Sequence, residues 1–204
     1  TSSTVSDGAT SNNSTIAMIF TSSEATTNFV IGDISVSGGA LSSFTASSST
    51  VYTATFTPSG GDGAKTLDVA GGVFTDSAGN NNAAASQFNW TYDTTGPSMT
   101  ITSSTVSDGA TSNDSTIALT FTSSEATTNF VIGDISVSGG ALSSFSGSGT
   151  TYTATFTPSA QGATTIDVAG GGFTDSSGNN NSAATQFNWT FDTVVPSMAI
   201  TSST

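Results

Sequence analysis

A stretch of about a hundred residues is written twice in succession in this chain. TSSTVSDGATSNNSTIA at Thr1 returns as TSSTVSDGATSNDSTIA at Thr102, and FTDSAGNNN at Phe74 returns as FTDSSGNNN at Phe173. A tandem repeat of this period marks an array of modules, each able to bury its own core. The substitutions between the copies then show what the fold tolerates. The carboxylates return with the rest: Asp7, Glu24, Asp33, Asp68, Asp76 and Asp93 match Asp108, Glu125, Asp134, Asp167, Asp175 and Asp192. PSMAITSST at Pro196 repeats the PSMTITSST at Pro97. The expected organisation is a first unit over 1–95 with an incomplete first strand, a second over 96–194, and the first strand of a third over 195–204. On this reading the chain is a window of a longer array.

Periodicity decides between a folded module and a disordered Ser/Thr/Asn-rich chain. Ile16, Met18 and Phe20 alternate with small or polar residues, and their copies Ile117, Leu119 and Phe121 stay apolar. The out-of-phase Ile19 becomes Thr120. Apolarity kept on one face and lost on the other describes a half-buried strand. Tyr52, Ala54 and Phe56 repeat the pattern, as do Phe88, Trp90 and Tyr92, with Thr on the outer face where β-branched polar residues fit. The hydroxyl of Tyr92 is dispensable, since its copy is Phe191. Seven strands per unit are expected, near 1–6, 14–22, 33–38, 40–46, 51–58, 65–74 and 86–93. SDGATSNN, SGG, SSS, PSGGDG and DSAGNNN supply the turns between them. The copies differ in length between Phe145 and Tyr152 and between Pro158 and Asp167, both in expected turns. The fold class is therefore all-β: tandem seven-strand immunoglobulin-like sandwiches arranged head to tail. With no Cys, an aromatic core must do what a disulfide does elsewhere.

Composition narrows the function. No His and no Cys removes the commonest general base and the strongest nucleophile, so no enzyme is expected. The net charge of −13 repels nucleic acid and anionic membrane. No apolar run is long enough to insert in a bilayer. One basic residue, Lys65, leaves almost nothing for trypsin-like proteases, which suits an extracellular, cell-surface life.

The strand order places the acids. Successive strands alternate in direction, so the second-to-third and sixth-to-seventh loops share the end at which the chain arrives. Glu24 and Glu125 lie in the former, and Asp76, Asn80, Asp175 and Asn179 in the latter. Asp93 ends its unit in YDTTGP, with Asp192 as its copy. In a head-to-tail array Asp93 lies close to Glu125, Asp175 and Asn179 of the next unit, and Asp7 and Asp108, one loop beyond the first strand, face such a junction from the other side. Carboxylates gathered in this way repel unless a cation bridges them, and an all-oxygen set suits Ca²⁺. Ordinary turn chemistry accounts for Asp, Gly and Asn, but it gives no reason for Glu in the loop. Asp33 and Asp134 read as strand-edge caps, and Asp68 and Asp167 as solvated-face residues.

The motifs SEATTNF, GDISVSGG, YTATFTP, FTDSAGN and FNWTYDTTGP together resemble the bacterial Ig-like repeats of large surface adhesins and biofilm-associated proteins, over both copies. The resemblance implies a secreted stalk, each unit a rod of ~35 Å, with Ca²⁺ at its junctions held by Asp93, Glu125, Asp175 and Asn179. The partners would be neighbouring repeats and other copies in a fibre. Two other readings belong to different classes: a repeated module binding glycan or another surface, and a filament subunit in which PSMAITSST completes a neighbour by strand donation.

Overall fold

The computed structural model describes residues 1–202 and separates into two compact units, Thr1–Thr95 and Gly96–Thr204. The first contains β1 (Thr10–Ser11), β2 (Ile16–Thr21), β3 (Ile34–Ser37), β4 (Gly39–Ala46), β5 (Val51–Pro58), β6 (Gly63–Val69) and β7 (Phe88–Tyr92). Its sheets run β1-β7-β6-β3 and β2-β5-β4. The second contains β8 (Met99–Ser103), β9 (Thr111–Ser112), β10 (Ile117–Thr127), β11 (Ile135–Ser138), β12 (Gly140–Pro158), β13 (Gly162–Val168) and β14 (Phe187–Phe191). Its sheets run β11-β13-β14-β9 and β8-β10-β12. Each unit is an immunoglobulin-like sandwich, as the period-two pattern requires. Within β12 the chain folds back on itself: Ser143 donates to the Thr155 carbonyl, and Gly147 and Gly149 take φ of 133° and 66°.

Two expected strands fall differently. The region 1–6 of the first unit makes no strand, only an isolated bridge from Ser2 to Met18. A two-residue strand appears instead inside the SDGATSNN turn. Gly8, at φ 77°, reverses the chain, and Thr10–Ser11 then runs parallel to Thr91–Tyr92. The expected strand 65–74 stops at Val69. Beyond it the backbone bonds are taken by an asparagine side chain: Asn82 accepts from the Val73 and Phe74 amides at 2.9 and 3.0 Å and donates to the Ala70 and Ala83 carbonyls at 2.7 and 2.8 Å. Asn181 braces the second unit likewise, donating to the Ala169 and Ser182 carbonyls. The residues before β3 form a 3-10 turn, Ile31–Asp33, and Asp33 accepts from the Val30 amide at 2.8 Å, capping that turn where a strand-edge cap was expected.

The cores are aromatic. Phe130 is 4 % exposed and meets Phe121, Phe145, Tyr152 and Phe173 with ring centroids 5.9, 5.7, 5.0 and 4.9 Å away. Phe29 does the same in the first unit, against Phe20, Phe44, Tyr52 and Phe74. Trp90 and Trp189 are both 1 % exposed, so neither ring is offered to a ligand. Tyr92 is only half-buried, and the buried Lys65 places its ammonium 5.6 Å from that ring while donating to the Ser59 and Gly61 carbonyls.

The two halves of β12 approach closely enough to require glycine. A Cβ at Gly140 would lie 2.4 Å from Phe156 Cζ and 2.4 Å from the Thr157 carbonyl oxygen. The carbonyl belongs to a paired strand and cannot retreat. Gly140→Ala is expected to destabilise the second unit by roughly 1–3 kcal/mol, the usual cost of overpacking. Urea unfolding would show it as a lower midpoint for that unit with the other unchanged.

Candidate cation-binding loops

In each unit two loops are tied together at one end of the sandwich. Thr26 bridges to Asp76 in the first unit, and Thr127 to Asp175 in the second. Side chains reinforce the tie. Tyr52 donates its hydroxyl to the Thr26 carbonyl at 2.8 Å, and Asn28 Oδ1 accepts from the Thr75 amide at 3.0 Å. Asn129 accepts from the Thr174 amide at 2.9 Å in the second unit. Below them, Phe29 against Phe74 and Phe130 against Phe173 pack the loop roots into the core. The strand order thus carries Glu24, Asp76 and Asn80 to one loop cluster, and Glu125, Asp175 and Asn179 to the other.

The acidic turns have a common build. Gly79 and Gly178 sit at φ 89° and 88°, where only glycine is unstrained, and they turn the next asparagine back onto the aspartate. Asp175 accepts from the Asn179 amide and from Asn179 Nδ2, both at 2.9 Å. Asp76 accepts from the Ala78 and Asn80 amides at 2.9 and 2.8 Å and from Asn80 Nδ2 at 2.8 Å. The three consecutive asparagines of NNN therefore have separate tasks. The first faces the aspartate, the second bridges to Thr75 or Thr174, and the third braces the turn from beneath.

The Asn80 side chain, followed by the backbone amides, holds the Asp76 carboxyl below its ordinary value of 3.8. A lowered folded-state value adds stability above the unfolded value, and that stability is lost as pH falls through the folded one. The Asn80 amide is expected to stay protected from pH 7 to about 4 and to lose protection only in stronger acid. Amide exchange followed by NMR would show this.

The surroundings of the two turns differ. Asp175 is 4 % exposed and Glu125 half-buried, whereas Asp76 is half-buried and Glu24 exposed. Glu125 also lies within β10 rather than in a free loop. The register shifts between Thr122 and Thr127, so Glu125 sits in the irregular part of the strand. That part pairs at Thr127 with Gly149 and at Ser123 with Met99, and residues 96–98 continue along it. Ser98 donates its amide to Ser124 Oγ at 2.9 Å, Pro97 accepts from the Ser182 amide at 2.9 Å, and a Cβ on Gly96 would lie 2.0 Å from the Asn180 carbonyl oxygen.

The remaining candidates each have a hydrogen-bond partner within their own unit. Asp7 and Asp108 each accept from an amide of the last strand, Asn89 and Asn188, at 2.8 Å. Asp93 accepts from the Thr95 amide at 3.2 Å and Asp192 from the Val194 amide at 2.8 Å, each shaping the segment that leaves its unit. Sequence reasoning missed what else holds that segment. Asp62 accepts from the Thr94 amide and hydroxyl at 2.8 and 2.7 Å and from the Thr95 hydroxyl at 2.5 Å. The Thr95 and Thr94 hydroxyls hold its carboxyl below the ordinary range. In the second unit Gln161 takes the same position and donates to the Thr193 hydroxyl at 2.9 Å. The available signal was an acceptor retained at one turn position while its neighbours changed, GGDG against AQG.

A family model described as "Bacterial Ig-like domain" matches residues 1–92 and again 93–191. The chain belongs to the bacterial Ig-like domain family. No curated protein matches it. Among solved structures, these bacterial Ig-like units are similar to InvD of Yersinia pseudotuberculosis at 18% identity, covering 93% of this chain and 58% of that one, TM-score 0.39. They are similar to FdeC, an Escherichia coli adhesin, at 15% identity, covering 91% and 60%, TM-score 0.48. The Yersinia pseudotuberculosis adhesin InvE gives 15% identity, 93% and 57% coverage, and TM-score 0.32. The chain therefore spans under two thirds of each of these proteins. The family match alone carries the assignment. No helix among the described residues is long and apolar enough to cross a membrane, a statement that does not extend to β-barrels.

Proposed function

We propose that the two bacterial Ig-like units are non-catalytic spacers of an extracellular surface adhesin or fibre, and that Ca²⁺ shared between successive units stiffens the array. One observation within the second unit carries this reading. The Thr127–Asp175 bridge sets the strand end bearing Glu125 against the turn bearing Asp175 and Asn179, and residues 96–98 pack on the same loops. Asp93 is three residues upstream of Gly96. Its backbone is therefore tethered within about 10 Å of Gly96 by covalent reach alone.

The donor set fits a hard cation. Glu125, Asp175 and Asp93 offer carboxylate oxygens, and Asn179 would offer Oδ1, since its Nδ2 donates to Asp175. Both Asp175 oxygens accept hydrogen bonds from Asn179, yet each has a second lone pair for a cation. Backbone carbonyls and water would complete the 6–8 oxygens that Ca²⁺ takes. Glu24, Asp76 and Asn80 are the corresponding set of the first unit, and Asp192 corresponds to Asp93. A bound ion would supply charge neutralisation and a cross-link. The chain's own residues supply the shape: Asn179 and Gly178 hold the turn, Gly96 permits the close approach, and Asp62 fixes where Thr94 and Thr95 leave the first unit. Calorimetric titration of the 204-residue chain with CaCl₂ tests the assignment. Saturable uptake lost in Asp93→Asn and in Glu125→Gln supports it, and heat indistinguishable from dilution would remove the ion.

A further inference from the structure

We propose that each unit holds a tension-bearing clamp, in which the SDGATS segment is fastened alongside the last strand and the carboxylates of Asp7 and Asp108 are the outermost rungs. Such a role belongs to a spacer, as proposed above: only a chain held at both ends is loaded in tension. The pull then travels through the backbone of every unit. Resistance comes from the bonds between the segment by which the pull enters a unit and the segment by which it leaves.

One ladder in each unit joins those two segments directly. In the second unit Gly109 donates to the Asn188 carbonyl at 2.7 Å, Thr190 donates to the Ala110 carbonyl at 2.8 Å, and Asp192 donates to the Ser112 carbonyl at 3.0 Å. Asp108 adds a fourth rung with its side chain, accepting from the Asn188 amide at 2.8 Å. The first unit repeats all four through Asp7, Gly8, Ala9 and Ser11 against Asn89, Thr91 and Asp93, at 2.7–3.2 Å.

The direction of pairing makes this ladder strong. β9 and β14 are parallel, Thr111 beside Thr190 and Ser112 beside Phe191, and β1 and β7 pair likewise. In a parallel pair the upstream end of one strand and the downstream end of the other lie at opposite ends of the ladder. Tension applied at those ends runs along the strands and loads all four rungs together. In a hairpin the two loaded ends lie side by side, and the same tension opens one rung at a time.

The clamp is also held against peeling. Val106 before it and Trp189 within it are 8 % and 1 % exposed, and Ala110 packs on the same core. Val5, Trp90 and Ala9 do this in the first unit. The clamp gives the SDG turn a purpose beyond reversing the chain. Gly109, at φ 75°, aims its own amide at the Asn188 carbonyl while the preceding carboxylate takes the Asn188 amide, so both backbone groups of one residue are gripped. SDGATS is the same in both copies, whereas the turn GGDG becomes AQG. Forced unfolding is governed by the barrier to opening, so a few rungs loaded in shear can make a marginally stable domain mechanically strong.

Optical-tweezers pulling of the 204-residue chain by tags at its two ends, in chelator, tests the clamp apart from the ion. Two rips of about 300 Å each are expected, at similar forces because the rungs are the same. Asp108→Ala should lower one of the two forces by roughly the one rung in four that it deletes. Asp108→Asn, which keeps Oδ1 for the Asn188 amide, should restore it. A second comparison changes only the direction of load. Asn113→Cys with Val194→Cys puts handles just past the same end of the second ladder, in a chain with no Cys of its own. Pulled there, the rungs open singly, and the second unit should yield at a severalfold lower force than when the same variant is pulled by its ends. Equal forces in the two directions overturn the proposal, and so does an Asp108→Ala chain whose two rips match the wild type. Should Asp108→Ala fold only one unit, the comparison of directions decides alone. A clamp that fails these tests leaves the ion untouched, and scattering that shows no ion leaves the clamp untouched.

Discussion

Phe130→Ala should strongly destabilise the second bacterial Ig-like unit while leaving the first unchanged. The ring is 4 % exposed and contacts four other rings, joining the β8-β10-β12 sheet to the roots of both acidic loops. Deleting a buried Phe side chain typically costs about 3–5 kcal/mol in transfer and cavity terms. Four neighbouring aromatics cannot collapse into the space without losing their edge-to-face contacts. With no disulfide in the chain, such a loss is comparable to the whole stability of a small domain. Urea denaturation followed by Trp189 and Trp90 fluorescence should resolve two transitions, one shifted and one not. A shift of less than about 1 kcal/mol would mean that the aromatic cluster is not what holds the loop roots to the core.

Ca²⁺ should raise the melting temperature of the second unit substantially. Binding confined to the folded state stabilises by about 2.7 kcal/mol at a hundred times the dissociation constant. For a unit of about a hundred residues that corresponds to roughly 10–20 °C. The gain should vanish on chelation. Asp175→Asn removes the charge: its Oδ1 still accepts from the Asn179 amide, and the second bond is kept once the Asn179 side-chain amide turns over to accept from the new NH2. The variant is expected to melt near the wild-type temperature in chelator and to gain little from Ca²⁺. If it melts far lower in chelator, Asp175 is there for the turn alone. Scanning calorimetry of both proteins in both buffers reads all four values.

What was legible in the sequence follows from which interactions have a period. Strand faces were, because Ile16, Met18, Tyr52, Phe56 and Trp90 alternate and their copies keep the alternation. The loop pairing was, because strand count fixes which loops share an end. The short β1 and β9 were not: Thr10–Ser11 and Thr111–Ser112 are too short to show alternation and read as turn. The early end of β6 was hidden too, because the Asn82 and Asn181 side chains stand in for a backbone ladder, which no apolar pattern records. The Asp62 and Gln161 clamps escaped for a related reason, since a polar residue in a turn is the ordinary case. The packing of residues 96–98 on the loops of the second unit was not legible either, because single contacts of Gly96, Pro97 and Ser98 carry no period.

A divalent ion that joins one unit to the next should be visible in small-angle scattering. The 204-residue chain would be measured with saturating Ca²⁺ and again after chelation, each profile extrapolated to zero concentration. We expect the largest dimension to be sharply defined with the ion, and the distance distribution to broaden when it is removed. Superimposable profiles in the two buffers would contradict the claim.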